Sequence, residues 1–133
     1  MNVMRWDCQG GANCFNQKMR PKLGVFDNCF PGKIGFGDVD GIVEVNSRGL
    51  VMEWKTDQRP ISTGQGLMWH RLTKSGMLET LCIVGNAETM DVQCFRRCRR
   101  GEWDNRWENA DLAKTQELIK DWSSWAQRGG ANA

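Results

Sequence analysis

Apolar and turn-forming positions are most clearly patterned between Gly37 and Lys55. β-branched and apolar residues flank the turn-forming run Asn46-Ser47-Arg48-Gly49, which predicts two strands joined by a tight turn. A symmetric hairpin pairs Val45 with Leu50, Val43 with Met52 and Gly41 with Trp54. Side chains alternate across a strand, so one face carries Val43, Val45, Leu50, Met52 and Trp54. The other carries Asp40, Ile42, Glu44, Val51, Glu53 and Lys55. The first face is expected to bury itself, leaving three carboxylates and a lysine gathered on the second.

The same reading places the remaining elements. Residues 1–13, with Gly10-Gly11, read as an irregular lead-in. From 14 to 30 the apolar set Phe15, Met19, Leu23, Phe26 and Phe30 recurs at three or four residues, which predicts a helix. Pro21 and Gly24 interrupt it, so two pieces or a kink are expected. Pro31-Gly32-Lys33 reads as a turn and Ile34-Gly35-Phe36 as a short strand. After the hairpin, Ser62 or Thr63 caps a helix that runs to about residue 74 and stops at Gly76. Residues 78–84 and 90–97 read as strands, 102–108 as irregular, and 110–127 as a helix that buries Leu112, Leu118, Ile119, Trp122 and Trp125. A disordered tail is expected over about 129–133. The order helix, strand pair, helix, strand, strand, helix describes an α/β (α+β) domain. A small mixed central sheet flanked by helices would fill a single domain over residues 1–133.

Composition narrows the setting. Hydrophobic residues make up 40% of the chain, and no apolar run approaches the length needed to cross a bilayer. Met1 to Asp7 contain no apolar signal core, so a cytoplasmic location with reduced thiols is expected. The cysteines at 8, 14, 29, 82, 94 and 98 form no CxxC pair. Cys8, Cys14, Cys29, Cys94 and Cys98 could converge on zinc, although their spacings fit no usual knuckle. His70, the lone histidine, is assigned no role. The net charge of +2 says less than its distribution. Lys33 precedes the hairpin, Arg96, Arg97, Arg99 and Arg100 follow it, and all five are candidate contacts to nucleic-acid phosphates. A solvated charge run is the alternative for the arginines.

The hairpin carries the chemistry. Two carboxylates on neighbouring strands, Asp40 and Glu53, supply the hard oxygen ligands that suit Mg²⁺, which keeps water and substrate phosphate in its other positions. Lys55 points to the same side as Glu53 and can orient an attacking water or stabilise charge on a phosphate under attack. Asp38 and Glu44 are weaker candidates, the first following Gly37 at a bend and the second lying further along the strand.

Asp40, the intervening turn, Glu53-Trp54-Lys55 and Gln65 together resemble the PD-(D/E)XK nuclease superfamily, with Val39 where the motif name has proline. The likeness covers about residues 10–100 in outline and is to small phage-type members and Holliday-junction resolvase-like enzymes. It implies a restriction-endonuclease-like core and Mg²⁺, replaceable by Mn²⁺, held by Asp40, Glu53 and the Trp54 backbone carbonyl. It also implies catalysis by Asp40, Glu53, Lys55 and Gln65. The expected activity is endonucleolytic hydrolysis of DNA phosphodiesters, including branched recombination intermediates, in a host cytoplasm. Junction resolution would require two sites and hence a homodimer. Resolvase-like members often place a further acidic ligand on the first helix, where this chain has no glutamate before residue 44. A non-catalytic nucleic-acid-binding protein or a phage regulatory protein on the same fold is the competing reading.

Overall fold

The computed structural model describes residues 21–58 and 60–129. The chain divides between Asp38 and Val39 into two compact units, where the sequence led us to expect one domain. In the first, Leu23–Cys29 forms a 3-10 helix with no buried residue. The α-helix expected over 14–30 is therefore replaced, from Leu23 on, by this tighter turn, and its part before residue 21 lies outside the described residues. Helices of this length depend on burying an apolar face, and none of these residues is buried. Residues 34–36 form no strand. Phe36 instead meets Phe26 and Phe30 edge-on, with ring centroids 6.0 and 5.5 Å apart. The irregular lead-in of residues 1–13 and the tail from residue 130 also fall outside the described residues.

The second unit is a six-stranded mixed sheet with a helix on each face. Its strands are β1 (Gly41–Val45), β2 (Arg48–Lys55), β3 (Leu78–Asn86), β4 (Asp91–Arg99), β5 (Glu102–Trp103) and β6 (Glu108–Asn109). The order is β1-β2-β3-β4, and both β5 and β6 pair with β4. Helix α1 (Thr63–Leu72) links β2 to its parallel neighbour β3, and α2 (Leu112–Gln127) closes the chain. A chain leaving the end of one strand must cross back before pairing in parallel, and α1 makes that crossing. Among the described residues no helix is long and apolar enough to cross a membrane.

Two local features set the hairpin. Asn46 and Ser47 both have positive φ, 50° and 67°, so the turn is two residues long rather than the four expected. The Ser47 N–H donates to the Glu44 carboxylate at 2.8 Å, which gives Glu44 a role in the turn. Val45 accordingly pairs with Arg48, Val43 with Leu50 and Gly41 with Met52, a register two residues away from the symmetric one. An even shift leaves every side chain on its expected face. Gly49 enters the strand because β3 comes close, and a Cβ there would sit 2.7 Å from a Leu78 methyl.

Both faces of the sheet are covered, so burial does not divide the hairpin as its apolar pattern suggested. Leu50, Leu81, Ile83, Phe95, Trp122 and Ala126 form the core under α2. Val51, Trp69 and Cys98 form the smaller core under α1. Thr80 to Gly85 of β3 are all buried, as expected for a central strand covered twice. At Gly85 the ladder to β4 is bulged, and a Cβ would collide with the Asp91 carbonyl. Residues 102–108, expected to be irregular, contain β5 and β6. The turn into β5 is made by Arg100 and Gly101, both with positive φ, and strands of two residues are too short to leave a periodic pattern.

Candidate active site

β1 begins at Gly41, opposite Met52, so the last three residues of β2, Glu53 to Lys55, lie beyond its pairing. The Asp40 N–H still donates to the Met52 carbonyl at 3.2 Å. The next β2 group on that edge, the Trp54 N–H, donates to Asp40 Oδ2 at 2.7 Å. An aspartate side chain thus takes the place of the missing strand residue. The paired register stops at Gly41 and Met52, and Asp40 touches β2 on either side of Glu53, at the Met52 carbonyl and the Trp54 N–H, where the symmetric hairpin would have set it across from Lys55. The carbonyl and N–H of a strand residue leave on the same side, so the Trp54 carbonyl faces this edge as well. Its indole goes to the α2 face, where Nε1 donates to the Gly85 carbonyl at 3.0 Å.

Glu53 and Lys55 lie on the α1 face, in register with Cys82 and Val84 of β3. Ser62 caps α1 by accepting the Gln65 N–H at 3.2 Å, which fixes the first helical turn beside the end of β2. Glu53, Lys55 and Gln65 then line one cavity of about 130 Å³, together with Cys82, Trp69 and Trp103. The Asp40 side chain is not part of its wall. It holds the adjoining backbone at Trp54.

The floor of the cavity is a neutral thiol. Burial pushes Cys82 up from 9.0 to about 11, with the Lys55 ammonium acting against the rise and the Glu53 carboxylate adding to it. Cys82 therefore stays protonated at neutral pH, and among the described residues of the lining Glu53 and Lys55 are the acid and the base.

The donor set fits a hard divalent cation of small demand. Among the described residues no three His, Cys, Asp or Glu side chains converge as a metal site. Mg²⁺ needs only one or two carboxylates beside water and phosphate, however. Asp40 keeps one carboxylate oxygen outside its bond to the Trp54 N–H, and its two bonds to β2 fall on the residues either side of Glu53.

The other candidates are dispersed. Lys33 belongs to the first unit, and Asp38 is its last residue. The four arginines do not form one basic strip. Arg96 lies on the α1 face, with its guanidinium 5.6 Å from the Trp103 ring centroid and Nε donating to the Asp104 carbonyl at 2.7 Å. Arg97 and Arg99 turn to the other face and approach the Asp104 carboxylate at 3.8 and 3.6 Å. Arg100 lies against Gly76. Cys94 accepts a bond from Gln58, Cys98 meets Thr73, Cys29 lies in the first unit, and Cys8 and Cys14 fall outside the described residues. His70 Nδ1 meets the Gly101 carbonyl, a packing role at the end of α1.

Sequence reasoning missed Trp103 and Cys82. Trp103 sits in a stretch read as irregular. Cys82 reaches Glu53 only through the parallel pairing of β2 with β3, which local pattern does not specify.

A larger cleft of about 630 Å³ lies elsewhere, lined in part by Leu78, Glu79, Arg99, Arg100 and Trp125. It contains none of the hairpin's charged residues. Burial raises Glu79 above its ordinary 4.5, against the pull of Arg99 and Arg97. The stability carried by its neutral form is complete below the unfolded value and is lost as pH rises through the raised folded value. Glu79→Gln should therefore raise the melting temperature at pH 7, and the gain should vanish as pH falls below about 4.5. Thermal melts of both proteins over pH 3.5–7.5 check this.

Compared with protein-family models, curated proteins and solved structures, the chain matches none.

Proposed function

We propose that this protein is a Mg²⁺-dependent endonuclease that hydrolyses phosphodiester bonds in DNA. The observation that carries the reading is the meeting of Glu53, Lys55 and Gln65 around one cavity, beside the point where Asp40 docks on Trp54. Asp40, Glu53 and the Trp54 carbonyl would hold Mg²⁺ or Mn²⁺, which supplies charge neutralisation at the phosphate when bound. The Lys55 ammonium orients the attacking water and stabilises charge that develops on the phosphoryl oxygens. Gln65, on the opposite wall, hydrogen-bonds water or a phosphate oxygen and limits their orientations. A cavity of about 130 Å³ accommodates a phosphate group with its water, and is too small to enclose a nucleotide. The DNA therefore lies across the mouth.

Resemblance to phage-type and resolvase-like nucleases supports a branched DNA substrate, a dimer with two sites, and action in a host cytoplasm. The division of the arginines between faces speaks against a purely DNA-binding role built on them. Purified protein incubated with linear, nicked, flapped and four-way DNA should cleave at least one form with Mg²⁺ or Mn²⁺, and should stop in EDTA. Salt-sensitive DNA binding without cleavage of any form would support the non-catalytic reading instead.

A further inference from the structure

We infer that Trp103, clamped by Arg96, is a positioning residue that holds Gln65 over Glu53 and Lys55. The inference rests on the nuclease reading and adds to it a residue pair from β4 and β5 on the same face of the sheet. Trp103 belongs to β5 and pairs with Cys98, so its side chain rises on the α1 face. Its Nε1–H donates to the Gly66 carbonyl at 3.3 Å, one residue beyond Gln65. A carbonyl has two lone pairs, so Gly66 can accept this bond beside its helical one. The Gly66 N–H is held in turn by the Ser62 carbonyl at 2.8 Å. The first turn of α1 is thus pinned at its cap and again by an indole from a strand 37 positions away.

The indole is itself held. The Arg96 guanidinium lies 5.6 Å from its ring centroid, within cation–π range, and the Asp104 carbonyl accepts from Arg96 Nε at 2.7 Å. Arg96 is in register with Cys82, which is in register with Glu53. Arg96, Cys82 and Glu53 therefore form one row across three strands, and Trp103, in the next row with Cys98, lies against Arg96 and reaches to the helix opposite. The distance between the carboxylate wall and the glutamine wall is set by this bridge. Arg96, which composition offers as a DNA contact, serves the bridge instead.

Simple packing of a large side chain would also give a half-buried Trp103, so the test must remove the N–H and keep an aromatic ring at the position. Trp103→Phe does so. The expected result is a folded protein whose kcat for DNA falls about tenfold with KM unchanged, equivalent to about 1.4 kcal/mol in the transition state. In a Gln65→Ala background the same change should cost nothing further, because the bridge acts through Gln65. Hydrogen exchange at amides 65–66 should speed up about fivefold, the worth of one neutral hydrogen bond, while β2 and β3 stay protected. Arg96→Met should move all three readouts the same way by less, and it provides the test if the Phe variant fails to fold. Unchanged exchange at 65–66 overturns the inference. So does a full kcat loss that persists without Gln65, or a variant that cleaves as fast as wild type. A wild type that cleaves no DNA overturns the nuclease reading and the inference with it, an outcome distinct from equal cleavage by both proteins.

Discussion

Glu53→Gln should abolish cleavage and leave the protein folded. In the proposed site Glu53 would supply one of the two carboxylates for the cation, and the amide is similar in size but lacks the charge. Asp40→Asn should be equally inactive, and its fold should hold because the amide oxygen can still accept the Trp54 N–H that Asp40 now takes at 2.7 Å. Asp40→Ala separates the two roles of that side chain. It should be inactive and also less stable by about 1 kcal/mol, the usual net worth of one hydrogen bond. Cleavage assays with Mg²⁺, run beside urea unfolding of the three variants, check the set. An active Glu53→Gln protein would sink the assignment, and so would wild-type stability in Asp40→Ala combined with activity.

Lys55→Met should lower kcat by about a hundred- to a thousandfold, on the order of 3 kcal/mol, as loss of a transition-state donor does. Methionine keeps an apolar stem above Cys82 and removes only the ammonium. DNA affinity should change little, since one cation among many phosphate contacts carries a small part of the salt-dependent binding. Single-turnover cleavage and a binding titration at two salt concentrations separate the terms. If the variant cuts at the wild-type rate but binds poorly, Lys55 is a phosphate anchor and the hairpin does no catalysis.

Much of this site could be read before the structure, for reasons that belong to particular residues. The faces of the hairpin follow from a period of two, so Glu53 and Lys55 shared a side however long the turn was. The turn itself was misread because Arg48 and Gly49 look like loop residues. Gly49 is small for its approach to Leu78, and its conformation is extended. That error misplaced Asp40 along β2, because the register is two residues away from the symmetric one. The cap at Ser62 was legible, as Ser followed by a helical run usually is. The wall built by Trp103 was not, because its place depends on a two-residue strand and on pairings across the whole sheet. The arginine cluster misled in the opposite direction. Four basic residues close in sequence are split by the pleat and by Asp104, and their linear density says little about a surface.

The parallel pairing of β2 with β3 also fixes when the site can exist during folding. The β1–β2 hairpin is local, with a two-residue turn, and such units close in about 1–10 μs. It brings Asp40, Glu53 and Lys55 together with nothing opposite them. Cys82 comes from the parallel strand, Gln65 from the crossing helix, and the Trp103 bond to Gly66 spans 37 positions. Long-range contacts of this kind form late. A partly folded or still-emerging chain would therefore carry the charges of the hairpin without an enclosing cavity, and the proposed cutting would require the complete sheet.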